Sequence, residues 1–443
     1  MHEAPPQFAG ARPAPAVAAA PDRLERFGLW LRDHQREVRA LQWAMVALYL
    51  PLLILPALLP LPDATARIWS NLTLFAQFLF WGIWWPGVLV SVLLFGRLWC
   101  GLLCPEGALS AAASRRGKGR AIPRWMKWPG WPFALFAGVT IYGQMISIYD
   151  DPRAALLILG LSSGSAVLVG WLYGREKRVW CRFLCPVNGV FGLLAKLAPM
   201  HYRVDARAWD ACPPSRAREM RFNCEPMVPV RTMDSASPCH MCGRCAGFRD
   251  AVCLEPRAPG SEVLRSAGSA ADSLMVIAGL IGLGSAAFWW EAAPWLGPLS
   301  RALGAAVEAP WVLFGRGMTL GEGAALLLTF GLIALSLSAA VALSLALAAR
   351  LDGRSGMFHR LALALLPLSA AGLIVGLSQQ TVARLAASGL PLDARWVWTA
   401  LLLLGAGWSL RLAAAMVRRR PALGAVVPAI GVPLAVWAAV IWA

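Results

Sequence analysis

Residues 97–105 read RLWCGLLCP, and residues 178–186 read RVWCRFLCP. Both fit one pattern, R-x-W-C-x-x-L-C-P, and each ends a pair of long hydrophobic runs. The repeat unit is therefore a helical hairpin that delivers two thiols to its end. Cys100 and Cys104, like Cys181 and Cys185, stand four positions apart, which places both sulfurs on one face of a helical turn. The proline after the second thiol is expected to stop that turn.

The surrounding chain says where the hairpins sit. Of 443 residues, 58% are hydrophobic and only 15% charged, well outside the soluble range, so this is an integral membrane protein. A helix needs roughly 20 residues to cross about 30 Å of hydrocarbon. Suitable runs lie near 41–60, 72–96, 131–149, 154–173, 273–290, 322–349, 361–378, 396–412 and 422–442. The expected fold is an all-α polytopic membrane protein of about nine transmembrane helices, with a small, loop-rich, ferredoxin-like cytoplasmic domain.

Four segments follow from these runs. Residues 1–22, rich in Ala and Pro and lacking a secretory-signal pattern, read as a disordered tail. Residues 23–186 form a four-helix membrane module holding both C-x3-C-P motifs. Residues 187–272 make the small polar domain, which holds six of the ten cysteines, and 273–443 a five-helix membrane bundle without cysteine.

The net charge of +17 is topological and does not indicate nucleic acid, because Lys and Arg cluster beyond the ends of alternate runs. The positive-inside pattern puts the N-terminus and all ten cysteines on the cytoplasmic side of a bacterial inner membrane, with the C-terminus on the periplasmic side. Thiols there stay reduced, which favours metal ligation over disulfides.

Four thiolates from two hairpins suit a [4Fe–4S] cluster or a structural zinc ion. The run Cys239-His-Met-Cys242-Gly-Arg-Cys245 supplies the C-x2-C-x2-C core of bacterial ferredoxins, and its presence beside two C-x3-C-P motifs favours iron–sulfur chemistry over zinc. Its usual C-x3-C-P ending is missing. Cys253, in CLEP, is the preferred fourth ligand, with Cys212, in ACPP, and Cys224, in NCEP, as substitutes. In two-cluster ferredoxins the cysteine beside the proline serves the other cluster, so the partition of Cys104 and Cys185 stays open while the count of two [4Fe–4S] clusters stands.

The five histidines lie outside the apolar runs and no C-x-x-C-H occurs, so no haem is expected. Electrons then move through clusters, a quinone or a partner. Trp99 and Trp180 are placed to shield a cluster, Glu106 and Asn188 to cap short helices, and His240 to face solvent. Arg97 and Arg178 either balance an anionic cluster or snorkel to the interface. Tyr142, Gln144, Tyr149, Asp150, Gln379 and Gln380 are quinone-pocket candidates.

With these motifs in place, residues 40–257 resemble the membrane polyferredoxin family, 4Fe–4S binding proteins of the NapH, NosR and CcoG type. The resemblance implies four membrane helices carrying paired C-x3-C-P motifs on the cytoplasmic side, with Cys100, Cys104, Cys181 and Cys185 matching residue by residue. It also implies electron flow from quinol towards a respiratory oxidoreductase. The chain departs from the family in having one ferredoxin-like run where many relatives have two, and in its five extra C-terminal spans.

Three functions follow as expectations. The first is a quinol-dehydrogenase-type electron-transfer subunit exchanging electrons between the quinone pool and a partner oxidoreductase. The others are a redox maturation factor, reducing a metal or thiol during assembly of a respiratory metalloenzyme, and a redox-sensing regulator.

Overall fold

A computed structural model describes residues 22–63, 65–213, 222–307 and 319–442. The expected tail lies outside these residues except for Asp22, whose carboxylate caps α1 (Arg23–Asp33) by accepting the Arg23 N–H. The membrane module follows as α2 (Gln35–Leu58), α3 (Leu72–Phe95), α4 (Leu98–Leu102), α5 (Pro105–Arg115), α6 (Trp131–Met145), α7 (Pro152–Tyr173) and α8 (Val179–Phe183). After α9 (Asn188–Leu194), strands β1 (Met200–Val204) and β2 (Val252–Pro256) pair antiparallel, with Arg203 opposite Cys253. The C-terminal bundle comprises α10 (Ala270–Ala292), α11 (Leu320–Asp352), α12 (Met357–Ala387), α13 (Arg395–Met416) and α14 (Arg420–Trp442).

Among the described residues, eight helices are long and apolar enough to cross a membrane, and the protein is a multi-pass membrane protein. The ninth expected span, 131–149, is the 15-residue α6, which at 1.5 Å per residue covers about 22 Å, short of a full bilayer core. It starts where Trp131 packs beside Trp180 and Cys181 and ends where Met145 packs with Ala293. Turns over 146–151 complete the distance, and there the Gln77 side chain donates to the Asp150 carbonyl at 3.0 Å.

The two ends of the bundle differ in charge. At one end, the loops after α5 and α7 interlock, with Lys118 N–H on the Trp171 carbonyl and Glu176 N–H on the Ser114 carbonyl. Arg354 reaches the Met416 carbonyl and Arg360 the Leu264 carbonyl at this same end. At the other end, Arg384 binds Tyr149 and Asp150, and Ser388 accepts the Ile68 N–H. Basic groups thus gather where the thiols lie.

The bundle's core runs through both halves of the chain. Val88 and Val92 of α3 share a buried cluster with Leu194, Ile281, Leu365 and Val426. Thr381 of α12 donates to the Gly82 carbonyl at 2.6 Å, which fixes α12 against α3. Two stretches depart from α-helix geometry into π-helix, Phe78–Trp84 and Met275–Leu283, a wider winding frequent at functional sites.

Candidate metal centre

The two repeats fold alike down to the hydrogen bond. In the first, the Trp99 carbonyl accepts the N–H of both Leu103 and Cys104; in the second, the Trp180 carbonyl accepts those of Leu184 and Cys185. Each C-x3-C is one tight helical turn that closes just before its second thiol. In the first repeat the proline plays a different part from the one expected, whereas Pro186 lies in a turn before the helix at Asn188. The turn has already ended at Leu102, and Pro105 instead begins α5, where its fixed φ and missing N–H suit the first helical position. Cys104 becomes the N-cap, with Sγ accepting the Gly107 N–H at 3.4 Å. A sulfur at a helix N-terminus is well placed to carry negative charge.

The four repeat thiols form one electrostatic group. Burial raises Cys104 well above the usual thiol range, with Cys100 and Cys181 adding repulsion. Burial also pushes Cys181 up to about 12, against the pull of Arg178, and holds Cys185 high beside Glu106, Cys181, Cys104 and Cys100. A second group forms in the polar domain. Burial and the neighbouring Cys239, Cys242 and Cys224 raise Cys245, and burial takes Cys239 to about 12.

Among the described residues no three His, Cys, Asp or Glu side chains converge on a point that one ion would fill, whereas a cubane spreads its ligands over four iron corners. Two sets of buried and half-buried thiols with backbone N–H donors fit [4Fe–4S] ligation.

In the cluster-free protein the raised Cys181 and Cys239 keep their protons in the fold but lose them in the unfolded chain at high pH. Their stabilising contribution is fully present below about pH 9 and is lost as pH climbs towards 12. The unfolding temperature of cluster-free protein is therefore expected to fall across that window. The loaded protein, whose thiols have already given up their protons to bind metal, should not show this fall.

The arginines of the repeats are buried rather than snorkelling, at 3% exposure for Arg97 and 2% for Arg178. Arg97 donates to the Ser237 carbonyl at 2.6 Å and to Asn188 Oδ1 at 2.8 Å. Arg178 donates to the Cys100 carbonyl at 2.9 Å and pairs through Nε with Glu225 Oε2 at 2.6 Å. Both therefore bind the membrane module to the polar segment. His240 is buried as well, not solvent-facing. Burial pushes its imidazole well below the usual range, and Arg97, Arg178 and Arg182 add to the effect.

The position where the repeats differ most is also explained. The residue after the first thiol is Gly101 in one and Arg182 in the other. A Cβ at Gly101 would sit 2.2 Å from the His240 carbonyl and 3.0 Å from Cys242 N. Only glycine lets the Cys100 turn touch the backbone of the C-x2-C-x2-C run, so the two sets of thiols are carried by segments in direct contact.

The remaining expected residues separate. Trp180 Nε1 donates to Glu106 Oε2 at 3.2 Å, so Glu106 points inward instead of capping a surface helix. Trp99 meets Trp84 edge-on at 5.4 Å. Cys224 lies near the second group, its Sγ accepting the Val228 N–H at 3.4 Å. Cys253 lies on β2, where Glu25, Glu255 and Arg203 are its charged neighbours, and Cys212 follows the helix Ala206–Ala211.

Comparison with known proteins adds to this geometry. Residues 77–123 and 156–204, one hairpin end each, match the 4Fe-4S binding domain family. The chain carries an iron–sulfur domain. It is 28% identical over 191 residues to Protein NirI of Paracoccus denitrificans (strain Pd 1222), covering 36% of this chain and 26% of that protein. It is also 26% identical over 171 residues to the Putative electron transport protein YccM of Escherichia coli (strain K12), covering 32% of this chain and 45% of that one. The chain thus spans less than half the length of either relative. No solved structure matches. Of the two relatives, the second is named as a putative electron transport protein.

Proposed function

We propose that this protein exchanges electrons between the quinone pool and a partner oxidoreductase through two [4Fe–4S] clusters at the cytoplasmic face of a bacterial inner membrane. The observation that carries the proposal is the pair of thiol groups on segments that touch at Gly101 and His240. A cluster in each would supply one-electron chemistry at a tuned potential. Cys100, Cys104, Cys181 and Cys185 would hold the first, and Cys239, Cys242 and Cys245 three corners of the second. Residues 187–272 would be the cytoplasmic domain, and the basic end of the bundle the cytoplasmic end, by the positive-inside rule.

The quinone part is supported by two apolar cavities inside the bundle. The first, about 110 Å³, is bounded by Cys104, Cys185, Glu106 and Ser162 together with Tyr49 and Trp84. The second, about 160 Å³, reaches Gln144, Tyr149 and Thr140. They share Trp85, Val139, Leu159, Pro186, Val187 and Phe191 as a common wall. The π-helical winding at Phe78–Trp84 turns Phe80, Trp81 and Trp84 towards these spaces. Apolar walls with a few polar groups are what a ring with two carbonyls and an isoprenoid tail requires. Of the expected pocket residues, Gln144 and Tyr149 line the second cavity, Asp150 is engaged by Arg384, and Gln379 and Gln380 lie outside both cavities.

Anaerobic purification, iron and sulfide counts, and electron paramagnetic resonance during addition of a reduced quinol analogue test this reading. About eight irons per chain and clusters reduced by quinol are expected. Zinc in place of iron, or clusters inert to quinol, would overturn it. Val187→Trp should fill the shared wall and slow quinol-dependent reduction by at least about tenfold, equivalent to roughly 1.4 kcal/mol. Its iron content should remain unchanged in the same assay.

A further inference from the structure

We infer that Cys224, and not Cys253, supplies the fourth thiolate beside Cys239, Cys242 and Cys245. The inference rests on the iron–sulfur reading above and deepens it. Strand geometry argues first. Successive residues of a strand face opposite sides, and Val252 and Leu254, each 2% exposed, face inward. They share a buried cluster with Met241, and Cys224, Cys239 and Cys245 pack against that same cluster. Cys253 stands between Val252 and Leu254, so its side chain leaves by the other face of β2, across from Arg203.

Hydrogen bonding separates the two thiols in the same way. Cys224 Sγ accepts the Val228 N–H at 3.4 Å, as Cys239 Sγ accepts that of Met241 at 3.4 Å and Cys104 Sγ that of Gly107. Backbone donors aimed at sulfur favour a cluster-bound thiolate. Cys253 Sγ instead donates to its neighbouring Leu254 carbonyl at 3.6 Å, and Cys212 Sγ to the Pro213 carbonyl at 3.7 Å.

The residue after Cys224 then fixes it in place. Glu225 is 7% exposed and pairs through Oε1 with Arg244 Nη1 at 2.7 Å. Arg244 lies between Cys242 and Cys245 in the run itself. Glu225 also pairs with Arg178, and its carbonyl accepts the Arg178 N–H at 2.8 Å. Cys224 is therefore held against both the ferredoxin-like run and the second repeat. Strand β2 also meets the end of the run, where the Gly247 N–H donates to the Val252 carbonyl at 2.8 Å, but the Cys253 side chain leaves by the strand's opposite face.

The test compares anaerobically purified wild type with Cys224→Ser and Cys253→Ser, using iron and sulfide counts and the resonance of the reduced clusters. Cys224→Ser should lose up to about four irons, or convert one cluster to a three-iron signal, with the other cluster's resonance intact. Cys253→Ser should keep the full count. The reverse pattern, or full iron in both variants, overturns the inference. A wild type without iron would overturn the iron–sulfur reading itself. Alkylation of the native wild type guards against a misfolded variant. Under anaerobic iodoacetamide, mass spectrometry should find Cys253 modified and Cys224 protected, and modification of Cys224 with Cys253 protected overturns the assignment.

Discussion

Cys100→Ser and Cys181→Ser are each expected to remove the same cluster, taking about four of about eight irons and the same resonance signal in both cases. Neither repeat holds four thiols, and the geometry brings the two pairs together. Cys104 feels Cys100 and Cys181, and Cys185 feels all three others. Arg178 of the second repeat donates directly to the Cys100 carbonyl of the first, so the hairpin ends share a hydrogen bond as well as a charge environment. Seryl oxygen is a poor substitute for thiolate on iron, and a cubane that loses one of four protein ligands is left open at that corner. If the two variants lose different signals, each repeat serves a separate cluster and the grouping is wrong. The double variant sharpens the measurement: with one shared cluster it loses no more iron than either single variant, because effects on one site do not add.

Much of this site was legible in the sequence, and its limits have physical causes. The duplicated R-x-W-C-x-x-L-C-P is a local pattern, and both copies fold into the same turn with the same bonds to a tryptophan carbonyl. The C-x2-C-x2-C run is legible for the same reason. The long apolar runs were legible because period and length alone decide them, and α6 fell short only because its last residues form turns.

What could not be read is whatever depends on docking between distant segments. Snorkelling and burial predict the same sequence for Arg97 and Arg178, and only the arrival of Ser237, Asn188 and Glu225 decides between them. His240 looked exposed because its neighbours are polar or thiol-bearing, yet the first repeat covers it. Gly101 offered a usable signal. One repeat has glycine where the other has arginine, and a glycine that breaks an otherwise close repeat points to backbone approached by backbone. Cys224 offered less, since nothing in NCEP fixes which loop it meets. Strand alternation offered a signal at Cys253, whose apolar neighbours Val252 and Leu254 face inward and so leave it on the other face of β2.

Glu225→Gln is expected to destabilise the loaded protein by about 3–5 kcal/mol, the range for removing one partner of a buried ion pair. Glu225 carries two such pairs, with Arg178 and Arg244, and the Arg178 side chain is 3% exposed. Because Arg178 already holds the carboxylate, the second bond to Arg244 orders little more of the glutamate, so less conformational entropy opposes it. Glutamine keeps the shape and an acceptor oxygen but removes the charge, leaving the buried Arg178 guanidinium without its counter-ion beside the Cys100 carbonyl. Asp393→Asn supplies the contrast. Its pair with Arg395 is exposed, at 53% and 50% of the two side chains, where solvent screening leaves such bridges contributing little. Denaturant unfolding in detergent, with iron content followed through the transition, measures both variants. A Glu225→Gln cost as small as that of Asp393→Asn would mean that the Gly101 contact and the Arg97 hydrogen bonds hold the two thiol-bearing segments together without the carboxylate. A large cost shared with Arg244→Gln, and not additive with it, would identify the carboxylate as the joint that holds Cys224 against the run.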